Sequence, residues 1–192
     1  RQGLDETDLA ELTGVGRLNL STLLLGLDYH LVRRDGLLMF FHDYLRRAVE
    51  KRYLPEEATR RQYHLRLATF FEQQMVSRRT AWELMWAYAQ SGEYHRHAAY
   101  LGRIEVLSLL NKDAGEWEVL SAWRMLRENG EDIEDIYRRS VEEYASRETP
   151  ENRLAMYATV GTLFARLGLW GMAWNMYEQM VNVARSTNDI GQ

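Results

Sequence analysis

Pro55 and Pro150 are the only prolines in 192 residues, and most of the 13 glycines fall between stretches whose apolar residues recur every three or four positions. Proline removes a backbone donor and clashes inside a helix. A chain so poor in it, with apolar residues at helical spacing, is free to form helix after helix joined by short connections. The expected fold class is therefore mainly α.

The two prolines divide the chain into three blocks: residues 1–54, 55–149 and 150–192. In the first, Leu4 to Gly14 reads as a short helix with Asp5 or Thr7 near its cap, Gly14-Val15-Gly16 as a turn, and Arg17 to Leu27 as a second helix. Tyr29 to Arg34 and Leu37 to Phe41 read as two short strands joined at Asp35-Gly36, a pair that type I′ hairpin turns favour. A helix from about Tyr44 to Tyr53 follows, with Asp43 placed to cap it. Two helices, a hairpin and a third helix make this block winged-helix-like.

The middle block predicts a helical connector, with helices over about Glu56 to Val76, Ala81 to Gln90, Tyr94 to Gly102, Glu116 to Glu128 and Asp132 to Arg147. Ile104 to Gly115 is less regular. In the last block, opened by Pro150, the residues Tyr157, Val160-Gly161, Phe164, Leu167-Gly168, Ala173 and Tyr177 stand at the offsets of one tetratricopeptide unit of about 34 residues. Ala81 to Leu101 resembles a looser hairpin of the same type. Such units normally stack in threes or more. A chain that begins at Arg1 and ends just after one full match is expected to be a piece of a longer array.

Composition narrows the function. There is no Cys, which leaves no disulfides or thiolate metal sites and suits a reducing compartment, with the cytoplasm as the expected location. A net charge of −4 gives no general attraction to nucleic acid or anionic lipid. No apolar run nears the length of about 18 residues that a membrane span needs. The chain carries no GxxxxGK[ST] phosphate loop, no GxGxxG after a strand and no GxSxG elbow, so a non-catalytic chain is expected.

Individual constellations are weighed the same way. His95 and His97 would point about 200° apart on a helix and could not chelate one ion, and adjacent acids such as Glu56-Glu57 and Glu142-Glu143 read as solvated, so no metal is expected. The pairs Trp82/Trp86 and Trp170/Trp174 put large rings on single helical faces. Inter-helix core is the first reading of both; the other is a recognition surface, with Trp170, Trp174 and Tyr177 binding a partner. Residues 1–54 hold eight acidic and eight basic side chains, and the second helix has one Arg and six leucines between Arg17 and Leu27. A DNA-reading helix needs donors for base edges and phosphates, so duplex DNA is not the expected ligand.

The run from Leu38 to Val49, closing the hairpin and opening a helix, contains Phe41-His42-Asp43. It resembles the winged-helix part of STAND-class signalling ATPases of the NACHT and NB-ARC kinds, where a His-Asp pair at this place follows a Met. Here Phe41 replaces that Met. The run His64-Leu65, Leu67-Ala68, Phe70-Phe71, then Ala89, Gly92 and Tyr94, is similar to the helical connector that precedes tetratricopeptide sensors in that family. The resemblance implies nucleotide sensing by His42 and Asp43, with the His contacting the β-phosphate of ADP. It also implies ADP or ATP in the parent protein, an upstream ATPase domain of the same chain, and a protein partner or ligand on the repeats. The alternatives are that His42 merely ends the wing, that the parent is a winged-helix transcription regulator with a repeat-borne sensor, or that the chain is a plain scaffold.

Overall fold

The computed structural model describes residues 3–111 and 116–189. They form a mainly α chain with one two-stranded antiparallel hairpin, and they divide into two compact units: Arg1–Met75 with Trp86–Gly92, and Val76–Met85 with Glu93–Gln192.

The first unit opens with α1 (Glu6–Thr13), started by a reciprocal cap in which the Asp5 carboxylate accepts from the Asp8 amide at 2.8 Å while the Asp8 carboxylate accepts from the Asp5 amide at 3.3 Å. This gives two orphan donors their partners. After α2 (Arg17–Gly26), Tyr29 and His30 are not strand as expected but belong to a 3₁₀ turn, Asp28–His30. The strands are β1 (Leu31–Arg34) and β2 (Leu37–Phe40), with Leu31 opposite Phe40 and Arg34 opposite Leu37. Asp35 at φ 52° and Gly36 at φ 81° are both left-handed, as the tight turn between such strands requires.

Three apolar side chains, Leu20, Leu24 and Leu38, form the core beneath α1, α2 and the hairpin, with Leu9, Ala10 and Leu31 packed against them. Next come α3 (Asp43–Tyr53) and α4 (Glu57–Glu72). The last turn of α5 (Arg78–Ser91) also belongs here, and within it Tyr88 is buried with its hydroxyl given to Glu72. Ser77 and Thr80 explain why α5 starts before the expected Ala81. The Ser77 amide donates to Thr80 Oγ1 at 2.7 Å and the Thr80 amide to Ser77 Oγ at 3.1 Å, a start signal the apolar spacing does not reveal.

The second unit holds α6 (Tyr94–Leu101), α7 (Ile104–Leu110), α8 (Glu116–Glu128), α9 (Ile133–Arg147), α10 (Pro150–Arg166) and α11 (Trp170–Asp189). The stretch expected to be irregular is a helix over α7, whose Ile104, Val106, Leu107 and Leu110 are all buried. A short helix covered on several sides lacks the polar stripe that periodicity detects; residues 112–115 lie outside the described residues. Trp123, Tyr137 and Phe164 run as an aromatic chain through this core, with centroid spacings of 5.4 and 5.5 Å.

Two helix ends followed by a left-handed glycine, those of α8 and α10, close in the same way. At α10 the Leu169 amide bonds back to the Phe164 carbonyl at 2.9 Å and Gly168 to Ala165 at 3.1 Å, with Gly168 left-handed at φ 75°. At α8, Glu131 returns to Leu126 and Gly130 to Arg127. These paired bonds satisfy carbonyls that the helix leaves open and turn the chain sharply into the next helix. Thr149 caps α10, with Pro150 at its first turn where the missing donor costs nothing.

Candidate functional site

His42 ends the path of β2 and is the N-cap residue of α3, with φ −113° and ψ 126°. The expectation that Asp43 caps this helix is corrected. Asp43 lies inside the first turn, and no side chain caps α3. Its carboxylate is taken by two arginines, Arg46 Nη2 at 2.6 Å and Arg47 Nε at 2.6 Å, and Arg46 also reaches Glu50 at 2.6 Å. The Arg46 hydrogen bond holds the Asp43 carboxyl below its ordinary range. His42 is exposed, with its ring edge-on to Phe41 at 4.4 Å and stacked on Tyr44 at 5.0 Å. The two residues of the pair therefore differ: one imidazole faces outward among aromatics, and one carboxylate is engaged with its own helix. An outward imidazole at a helix start is of the right chemistry to donate to a phosphate, and the charge of Asp43 beside it is offset by Arg46 and Arg47.

The two tryptophan pairs part company. Trp82 is buried at 6% exposure and Trp86 is half-buried, packed edge-on against His64 at 4.7 Å. Trp170 and Trp174 are 71% and 73% exposed, so core is the wrong reading for them. Small residues on α11's inner face explain why. Ala173 and Val183 take the buried positions, and the tryptophans stand on the turn beside them. Tyr177 is intermediate: its ring covers Gly161 of α10, where an added Cβ would meet Tyr177 Cε1 at 2.9 Å.

A concave groove of about 560 Å³ that the sequence reading missed lies along α9, α10 and α11. Tyr137, Val141, Tyr157, Met172 and Met176 supply apolar walls, and Arg153 reaches in from the first turn of α10. Arg138, the other cation of the lining, is engaged with Asp135. The Arg153 Nε is buried with no hydrogen-bond acceptor among the described residues. Thioether and aromatic walls adapt to varied side chains, while the buried Nε of the half-buried Arg153 offers an N–H to a carboxylate or carbonyl oxygen. The signal was present in the spacing: Met172/Met176 and Asn175/Gln179 are i,i+4 pairs on the side of α11 away from Trp170 and Trp174.

His95 and His97 do not converge. The His95 side chain is 90% exposed and lies 3.4 Å from Glu131, whereas His97 is 1% exposed. Among the described residues no group of three His, Cys, Asp or Glu side chains could hold a metal ion, and no helix is long and apolar enough to cross a membrane.

Geometry and sequence together define a mainly α chain with a short β-hairpin and repeat-like helical hairpins. Neither a protein-family model nor a solved structure matches it significantly. Among curated proteins, Nephrocystin-3 of Mus musculus is 29% identical over 181 residues, a match covering 89% of this chain and 14% of the mouse protein. The chain thus spans a small part of that relative's length.

Proposed function

We propose that this chain is a non-catalytic regulatory and sensor segment of a larger STAND-like signalling ATPase. In this reading the helical hairpins of the second unit bind a protein partner, and the winged-helix-like first unit responds to nucleotide held by an upstream domain of the same polypeptide. The similarity to a segment of a much longer protein supports the view of the chain as one part of a larger whole.

The observation that carries the binding role is the groove along α9 to α11, concave, largely apolar and holding one buried N–H, Arg153 Nε, without an acceptor among the described residues. A peptide segment with a carboxylate over Arg153 and apolar side chains on Met172 and Met176 fits that chemistry. A displayed peptide library panned against the 192-residue chain is expected to enrich such sequences, with binding at least about tenfold weaker for Arg153→Ala. Equal recovery on both proteins sinks the groove as the binding site.

For the first unit, the outward imidazole of His42 supports nucleotide sensing. ADP, held elsewhere, would supply an anionic β-phosphate, and His42 would donate a hydrogen bond to it. A partner that prefers the open arrangement then shifts the population only by its differential affinity for the two states.

A further inference from the structure

We propose that a cavity in the first unit binds an uncharged small molecule built around an apolar ring system. The site is separate from the groove of the second unit and does not use His42, so it stands or falls apart from both readings above.

The cavity measures about 680 Å³, and every residue lining it belongs to the first unit. Its apolar walls come from Leu4 ahead of α1, Leu9 of α1, Leu31 of β1, Met39 and Phe40 of β2, and Trp86 of α5. Leu4, Leu9, Leu31, Met39 and Trp86 are all half-buried, as the walls of a concavity are. One edge is backbone. The Leu38 amide donates to the Leu4 carbonyl at 2.8 Å, and a Cβ on Gly3 would stand 2.5 Å from the Leu38 carbonyl oxygen, so only glycine lets the chain run this close to β2. The opposite character, a large flat surface, comes from Trp86, whose ring His64 meets edge-on at 4.7 Å. Small-molecule sites have volumes of about 300–1,000 Å³, and this cavity falls within that range.

The charges of the lining decide the chemistry of the ligand. Asp43, Arg46 and Glu50, all on α3, are the charged side chains that line the cavity. Arg46 is held from both sides: Asp43 Oδ1 accepts from its Nε at 3.0 Å and its Nη2 at 2.6 Å, and Glu50 Oε1 accepts from its Nη1 at 2.6 Å. The second Asp43 oxygen is taken by Arg47 Nε at 2.6 Å. Two carboxylates and two guanidiniums therefore balance. An anionic ligand would have to draw Arg46 away from them, and a cationic one would have to draw a carboxylate away from its arginines. Either exchange leaves a charge unpaired beside apolar walls, which is costly. An uncharged ligand disturbs none of these bonds. An extended peptide would bring backbone N–H and C=O groups that need partners, whereas the polar side chains of the lining are committed to one another. Phe40, Phe41 and Trp86 favour rings, which pack edge-on or offset against them, and the thioether of Met39 adjusts to their outline.

The test uses the whole 192-residue chain and two fluorescent probes that share one ring skeleton: phenylnaphthylamine, which is uncharged, and anilinonaphthalene sulfonate, an anion. Phenylnaphthylamine is expected to bind with saturation at one equivalent, and the sulfonate to bind at least about tenfold more weakly. Phe41 is 60% exposed, so Phe41→Glu is expected to keep the circular dichroism of the parent. It should nonetheless weaken phenylnaphthylamine at least about tenfold, by setting a carboxylate without a partner at the cavity. Met172→Glu/Met176→Glu, in the groove of the second unit, is expected to leave that binding unchanged. Absence of phenylnaphthylamine binding, equal binding of the sulfonate, or binding that survives Phe41→Glu overturns the proposal. So does binding lost in the groove variant, because the apolar probe would then sit in the other unit.

Discussion

Tyr137 donates its hydroxyl to the Leu101 carbonyl at 2.9 Å, and this one buried bond fastens α9 to the last residue of α6. The phenol is wholly buried, and burial drives its ionisation well above the ordinary range. Tyr137→Phe keeps the ring between Trp123 and Phe164 but leaves that carbonyl without its donor. Urea unfolding is expected to show a loss of about 1–3 kcal/mol. An unchanged midpoint and slope would mean that water or another donor replaces the hydroxyl.

Next along the chain, Gly102 leaves no room for a side chain: a Cβ there would stand 2.3 Å from Ile136 Cγ2. A branched side chain is stiff about its first torsion and cannot swing away freely. Gly102→Ala is expected to destabilise the chain by about 1–3 kcal/mol. In a double-mutant cycle, Ile136→Ala should recover part of that loss, and purely additive effects would refute the contact.

His97 sets a pH dependence. Burial lowers its pKa to about 4, against an ordinary value of 6.5. Above 6.5 the imidazole is neutral in both folded and unfolded chains, so it contributes no pH slope. As pH falls from about 6.5 to about 4, the unfolded chain takes up a proton that the folded chain refuses, and stability declines by about 3 kcal/mol. Unfolding midpoints at pH 7.5 and 4.5 are expected to lie closer together in His97→Leu than in the parent chain. If both proteins show the same difference, the acid sensitivity comes from other groups.

His42 should matter little to folding and much to signalling. Its exposure predicts that His42→Ala alters the stability of this chain by no more than about 0.5 kcal/mol. Under the proposed nucleotide-sensing role, the same change in the longer parent is expected to move the resting equilibrium about 5- to 150-fold toward the open state. Full-length His42→Ala protein that holds ADP as tightly as its parent and stays silent without ligand would make His42 only a structural residue of the wing.

Duplex DNA is not the expected partner of the first unit. On α2, Leu18, Leu23 and Leu25 are exposed where a reading helix would present donors to base edges. Gel-shift titrations at physiological salt are expected to show no sequence preference. Submicromolar, sequence-selective binding would revive the transcription-regulator reading.

Much of the fold was legible because punctuation in the sequence matches elementary needs of the backbone. Asp35-Gly36 supplied the two left-handed residues of a tight turn, Asn129-Gly130 ended α8, and Pro150 marked the first turn of α10. What stayed hidden lacked such punctuation. Helix α7 is buried too fully to show an amphipathic stripe, and the cap of α5 is a mutual Ser77–Thr80 bond rather than an acidic residue. The candidate site was harder to read. Identical i,i+4 spacing gave Trp82 a place in the core and Trp170 a place on the surface, because spacing assigns residues to a face without saying what covers it. Arg153 was invisible for a related reason: its meaning depends on α9 and α11 closing around it.

The opposed faces of α11 bear on regulation. Met172, Asn175 and Gln179 line the groove, while Trp170, Trp174 and Val181 stand on the other side of the same rod. Two ligands held there would never collide, so neither could displace the other by competition. Influence between them would have to travel as a shift or stiffening of one shared helix, and thermodynamic linkage makes it mutual: whatever factor the first ligand applies to the second's affinity, the second applies to the first.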